Sequence, residues 1–199
     1  MLNNFNNLLP FRIEHPHDII TWYSLGNTGL GGQFVSMYTG NNAPDGDPTV
    51  LSTSTPGYPY SNVTNFRFET PRKVYPSTSG QTKFDVLGLT LDGTIEYDEN
   101  GLKILFYPQR QVELQCVPSG YSVRIAADGV FTLKSAAYSG TPLPGYVGTI
   151  SNTTPGTITW QAYSAITAVT GDPSTIVCKA LSSSGSNFSG YAQIKLMLK

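Results

Sequence analysis

The chain has 199 residues, with twelve Lys and Arg against thirteen Asp and Glu and a formal net charge of −1. That balance leaves no electrostatic case for nucleic acid, and no apolar run approaches the length of a membrane-spanning helix. Hydrophobic residues reach 39%, enough for a sizeable core, while charged residues are only 13%, against a usual share of about 25%, so solubility rests on Ser, Thr, Asn, Gln and Gly.

Residues 1–83 are rich in Asn, Pro, Gly, Ser and Thr, with short apolar islands at 19–25, 33–38 and 63–68. The N-terminus has no basic stretch followed by a continuous apolar run, so it does not read as a signal peptide. A short helix is expected over 18–24, with Asp18 as its cap and Pro16 ahead of it. His15 and His17 are the only histidines. With Glu14 or Asp18 they have the ligand types of a metal site, but the pattern reads as a polar turn around Pro16, and no metal or cofactor is expected. Gly26, Gly29, Gly31 and Gly32 lack the helix and Lys-Ser or Lys-Thr of a phosphate loop. A long Pro/Asn/Gly-rich stretch covers 39–61, and a stretch of that length is usually functional or mobile. Arg67, Arg72, Lys73 and Lys83 form a basic patch around Pro71 and Pro76, which suits docking onto a partner. This half reads as an extended arm.

From Phe84 onward the texture changes to short strands and turns. Asp92-Gly93, Asn100-Gly101, Ser119-Gly120 and Asp128-Gly129 are tight-turn dipeptides. Between them Val112, Leu114 and Cys116 alternate with Gln111, Glu113 and Gln115, which predicts a half-buried strand. Glu96, Asp98 and Glu99 cluster at a turn, where charge solvates the tip. Further strands are expected at 146–150, 157–168, 175–181 and 191–198. In the last, Ala192, Ile194, Leu196 and Leu198 alternate with polar residues, as a sealing strand or an edge. Cys116 and Cys178 lie in apolar runs and read as buried free thiols. No nucleophile elbow is present, and histidine is too scarce for a general base. These features predict an all-β, antiparallel, non-enzymatic protein.

The order of segments carries a resemblance. A "GNTGLGGQFVSM" stretch is followed by "PRKVYPSTSGQTKFDVLGLTL", then "QVELQCVPSGYSVRI", the corner "GTPLPGYVG" and the ending "VCKALSSSGSNFSGYAQIKLML". Over most of residues 25–199 this resembles the cement, or head decoration, proteins of tailed bacteriophages, those of cyanophage-like and marine phages in particular. The resemblance implies a compact β-barrel or β-tulip domain at 84–199, with an extended N-terminal arm at 1–83. It implies a homotrimer that is assembled in the host cytoplasm, sits on the outer capsid surface of the virion and clamps neighbouring major capsid protein subunits. The arm would carry the interface, with Trp22, Tyr23, Phe34, Tyr38, Phe66, Phe68 and Tyr75 as aromatic anchors and Arg67, Arg72 and Lys73 as charged contacts. The alternative is a carbohydrate- or receptor-binding β-sandwich module, with Trp22, Trp160 and Tyr163 stacking on sugars.

Overall fold

The computed structural model describes residues 6–9, 13–14, 16–25, 29–37, 72–118, 121–169, 172–183 and 190–198. The fold is all-β, as the turn-rich texture requires. The strands are β1 (Ile13–Glu14), β2 (Ile19–Ser24), β3 (Phe34–Met37), β4 (Arg72–Pro76), β5 (Val86–Thr90), β6 (Gly93–Ile95), β7 (Cys116–Pro118), β8 (Val123–Ala126), β9 (Gly129–Lys134), β10 (Tyr138–Ser139), β11 (Val147–Ile150), β12 (Ile158–Gln161), β13 (Ile176–Ala180) and β14 (Tyr191–Leu196). Two seven-residue helices interrupt them, α1 (Pro108–Leu114) and α2 (Tyr163–Val169).

The strands form two main bodies. A closed barrel runs β2-β4-β3-β5-β8, and a seven-stranded sheet runs β1-β9-β14-β13-β11-β12-β10. A small parallel pair, β6 and β7, stands apart. Pairing is mostly antiparallel, but β2/β4 and β10/β12 are parallel as well. The terminal strand β14 lies between β9 and β13, so it is an interior strand and not an edge.

Side-chain alternation divides the apolar residues between two cores. Val35, Val74, Val123 and Ile125 turn into the barrel, where Ile20, Tyr23 and Leu87 close around them. Phe34, Leu89 and Ala126, on the same strands, face the other way. They join Phe131, Leu133, Ile158, Val177, Cys178, Ile194 and Leu196 in one continuous core between barrel and sheet. On β3 and β8 a two-residue period thus serves both bodies at once, and on β5 the register shift against β3 lets Leu87 and Leu89, two residues apart, join different cores.

The extended arm expected at 1–83 is not what the described residues form. β2, β3 and β4 make up three of the five barrel strands, and each pairs with its neighbours on both sides. Residues 6–9 are tied down as well. Asn7 N–H donates to the Gly31 carbonyl at 2.9 Å, and Leu9 N–H donates to the Thr132 carbonyl at 3.0 Å. The buried Asn6 amide donates to the Leu91 carbonyl and to Gln115 Oε1, both at 3.1 Å, while its oxygen accepts from Leu8 N–H at 2.8 Å. With its polar atoms satisfied, Asn6 can sit in the interior without the desolvation cost of an orphaned amide. The stretch 39–61 lies outside the described residues.

Four local expectations are corrected. Residues 19–24 form strand β2, preceded by a 3-10 turn at Pro16–Asp18. The β-branched pair Ile19-Ile20 and the aromatic pair Trp22-Tyr23 favour the strand over a helix. The alternating stretch around Val112 is helix α1, with Pro108 at its first turn and Gln115 closing it in the left-handed region at φ 49. Residues 157–168 begin as β12 but pass into α2. Asp128-Gly129 is a turn, but not of a hairpin: it carries the chain from barrel strand β8 into sheet strand β9.

Cys116 and Cys178 are both buried free thiols. Burial pushes the Cys116 thiol up to about 11 and raises that of Cys178 further. The thiolate is the reacting species, so both sulfurs are held inert near neutral pH. We expect a thiol-specific disulfide reagent at pH 8 to find no reactive sulfur in the folded protein and both after unfolding. Rapid labelling of the native protein would contradict this burial.

Candidate partner-docking surface

The chain between β6 and β7 leaves the two main bodies and builds a projection. Its turn is made by Asp98, whose Oδ1 accepts from Asn100 N–H at 2.9 Å and Leu102 N–H at 2.8 Å. Gly101 supplies the positive φ of 75° that the turn needs. A 3-10 turn at Ile104–Phe106 follows, then α1. Gln111 Nε2 donates to the Ile104 carbonyl at 2.9 Å and ties the two together. Among the described residues a small cluster of Ile95, Ile104 and Cys116, with Leu114 against it, anchors the projection, and Asn6 adds its bond to Gln115.

The projection exposes large apolar side chains. Phe106 is 71% exposed and Val112 78%, and Tyr97, Leu102, Leu105 and Tyr107 are exposed with them. No residue of α1 is buried. Six large apolar side chains exposed within residues 97–112 mark an interaction site far more than the same number scattered singly over the surface would. Beside this ridge lies an open cleft of about 460 Å³, lined by Leu91, Val112, Cys116 and Val117, with Gln111, Gln115, Asp92 and Arg124 also on its wall.

The polar groups here are mostly committed to one another. Arg124 grips Asp92 with two bonds, Nε to Oδ2 at 2.8 Å and Nη2 to Oδ1 at 2.6 Å. Arg110 pairs with Glu99 and with Glu113. Asp98 is therefore a turn-former and Glu99 an ion-pair partner. Among the described residues no group of three or more His, Cys, Asp or Glu side chains converges.

The residues expected to form the interface do not come together as one surface. Phe34 is fully buried in the main core, so it is corrected from an interface anchor to a core residue. Tyr23 is half-buried against the barrel core, and its hydroxyl lies 3.6 Å from Met37 Sδ. Tyr75 is half-buried and accepts from Gln81 Nε2 at 3.0 Å. Trp22 lies on β2, and Arg72 and Lys73 lie on β4, where Arg72 pairs with Tyr23. Tyr38, Phe66, Arg67 and Phe68 lie outside the described residues. Trp160 is 5% exposed and meets Tyr138 edge-on at 6.1 Å, so it offers no open face to a sugar ring.

No family model matches the sequence, and no curated protein matches it. The surface therefore stands on its own chemistry. The run Leu105-Phe106-Tyr107-Pro108 was its signal in the sequence: three large apolar residues ahead of a proline, between a turn and a helix.

Proposed function

We propose that the chain is a capsid decoration protein. It binds the outer surface of a phage head as a trimer and clamps neighbouring major capsid subunits. The observation that carries this reading is the exposed apolar ridge on a weakly charged all-β body. A freely soluble monomer gains nothing from six large apolar side chains held in water, whereas a subunit that spends its life against other protein does. The order of segments that resembles head decoration proteins points the same way. Multivalency supplies the mechanical logic: each docking contact is modest, but a subunit held at several points has its later contacts formed at high effective concentration. A trimer that grips several shell subunits thus resists their separation.

The reading of the chain as a sugar-binding module loses Trp160, one of its three candidate rings, to the core. The decisive experiment incubates the full-length protein with phage heads purified without it, then sediments them. The protein is expected to pellet with the heads at a saturating stoichiometry and to raise the temperature at which they rupture. Absence of pelleting, or binding to a glycan array by the free protein, overturns the proposal.

A further inference from the structure

We infer that the ridge formed by Tyr97, Leu102, Leu105, Phe106 and Val112 docks onto an apolar protein surface rimmed by Lys and Arg. This inference rests on the decoration reading and names the chemistry of the shell surface that would receive the chain.

The charge distribution selects this occupant. Four of the chain's thirteen carboxylates, Glu96, Asp98, Glu99 and Glu113, sit on the projection, against two of its twelve cations, Lys103 and Arg110. The Arg110 guanidinium lies between Glu99 and Glu113, and all three carboxylates at Asp98, Glu99 and Glu113 favour its charged form. One cation is thus shared by two ion-pair partners, and the projection keeps an acidic balance, while the rest of the sequence carries nine carboxylates against ten cations. Docking two ridges of like charge against each other brings acidic rims together, which is unfavourable. An anionic membrane surface is repelled for the same reason, since its headgroups attract basic segments, not acidic ones. A surface with an apolar centre and a cationic rim satisfies both parts of the ridge at once.

The cleft gives the contact depth. Val112 belongs to both the ridge and the cleft wall, so a partner side chain that passes over α1 enters a space lined by Leu91, Cys116 and Val117. Its one cation is already held at short range by the Asp92 carboxylate, so the cleft suits an apolar group and not an anion. A hydrophobic anchor in such a pocket, ringed by polar contacts, is the usual arrangement of an interface hot spot.

The test uses the full-length protein and a Phe106→Ser/Val112→Ser variant. Both side chains are exposed, so the thermal unfolding curve is expected to stay close to that of the wild type. Binding to heads purified without the protein is expected to weaken by about tenfold or more in the variant, with truncation of two anchors as the cause. Wild-type binding is also expected to weaken as salt rises, because the rim contributes by charge complementarity. If the wild type decorates the heads and the variant decorates them equally well, the docking inference is overturned and the decoration reading stands. If the wild type never binds heads, the decoration reading fails and takes the inference with it. If sedimentation velocity shows that the wild type self-associates through the ridge and the variant does not, the occupant is a second copy, and the assignment to a cationic partner surface is overturned.

Discussion

Phe34→Ala is expected to remove about 3–5 kcal/mol of stability, the range for truncating a buried aromatic side chain. For a chain of this size that lowers the melting temperature by roughly 6–20 °C. Phe34 is fully buried. Its backbone is fixed on both sides, with its N–H donating to the Gly156 carbonyl at 2.9 Å and its carbonyl accepting from Ser77 N–H at 2.8 Å. Its ring reaches the core shared by barrel and sheet. Truncation therefore opens a cavity where the two bodies meet, and neither body can collapse into it alone. Phe84→Ala is the natural control, because Phe84 is 79% exposed, and its loss is expected to stay within about 0.5 kcal/mol. Thermal or urea unfolding of the two variants decides the matter. A Phe34→Ala protein with wild-type stability but lost attachment to heads would return Phe34 to the interface.

The same residue shows why the first half of the chain has the local texture of an arm and the pairing of barrel strands. Asn, Gly and Pro between short apolar islands look like an arm, because the local signals there are turn signals. The strands at 19–24, 34–37 and 72–76 are satisfied by distant partners: Tyr23 pairs with Val123, and Phe34 with Leu89. Local composition carries no record of such pairings, and a strand is stabilised by its cross-strand neighbours more than by its own propensity. Where the neighbours are central and the alternation long, sequence and structure agree. β14 keeps Ala192, Ile194 and Leu196 buried on one face, as its period of two requires. At 111–116 the alternation covers only six residues, too few to separate a strand from a helix. Pro108 at the first turn, with Gln, Arg and Glu after it, settles the local structure as helix. Asp128-Gly129 is legible as a turn, but a turn dipeptide does not reveal which sheet the next strand will join. Leu105, Phe106 and Val112 are exposed although Ile104 beside them is buried, and the apolar run alone does not say which of its side chains face water.

Gly88→Ala tests the closure of the barrel. Gly88 lies on β5 opposite Val35 of β3, and β5 also pairs with β8 through Leu89 and Thr90. A Cβ added at Gly88 would run into the Ala126 carbonyl oxygen, with Ile125 Cγ2 at 2.6 Å and the Ala126 carbonyl carbon at 3.0 Å. Two of those three atoms are backbone, so no rotamer change relieves the contact. Gly148 presents the opposite case, where the atom in the way is the Cys178 sulfur at 2.5 Å, a side chain that a smaller residue could replace. At Gly88 the two strands themselves must part, at the seam that makes the barrel a ring and beside the buried Ile125. Overpacking of a tight core costs about 1–3 kcal/mol and sometimes more, and a backbone clash belongs at the upper end. We expect a loss of about 3 kcal/mol or more, seen as a melting temperature lower by roughly 6–12 °C. Hydrogen exchange should localise the loss to the amides of β5 and β8, while those of β13 and β14 exchange as in the wild type, because subglobal opening follows the contacts that are broken. Unchanged stability in Gly88→Ala would mean that β5 and β8 do not approach each other this closely, and the ring of five strands would be open at that seam.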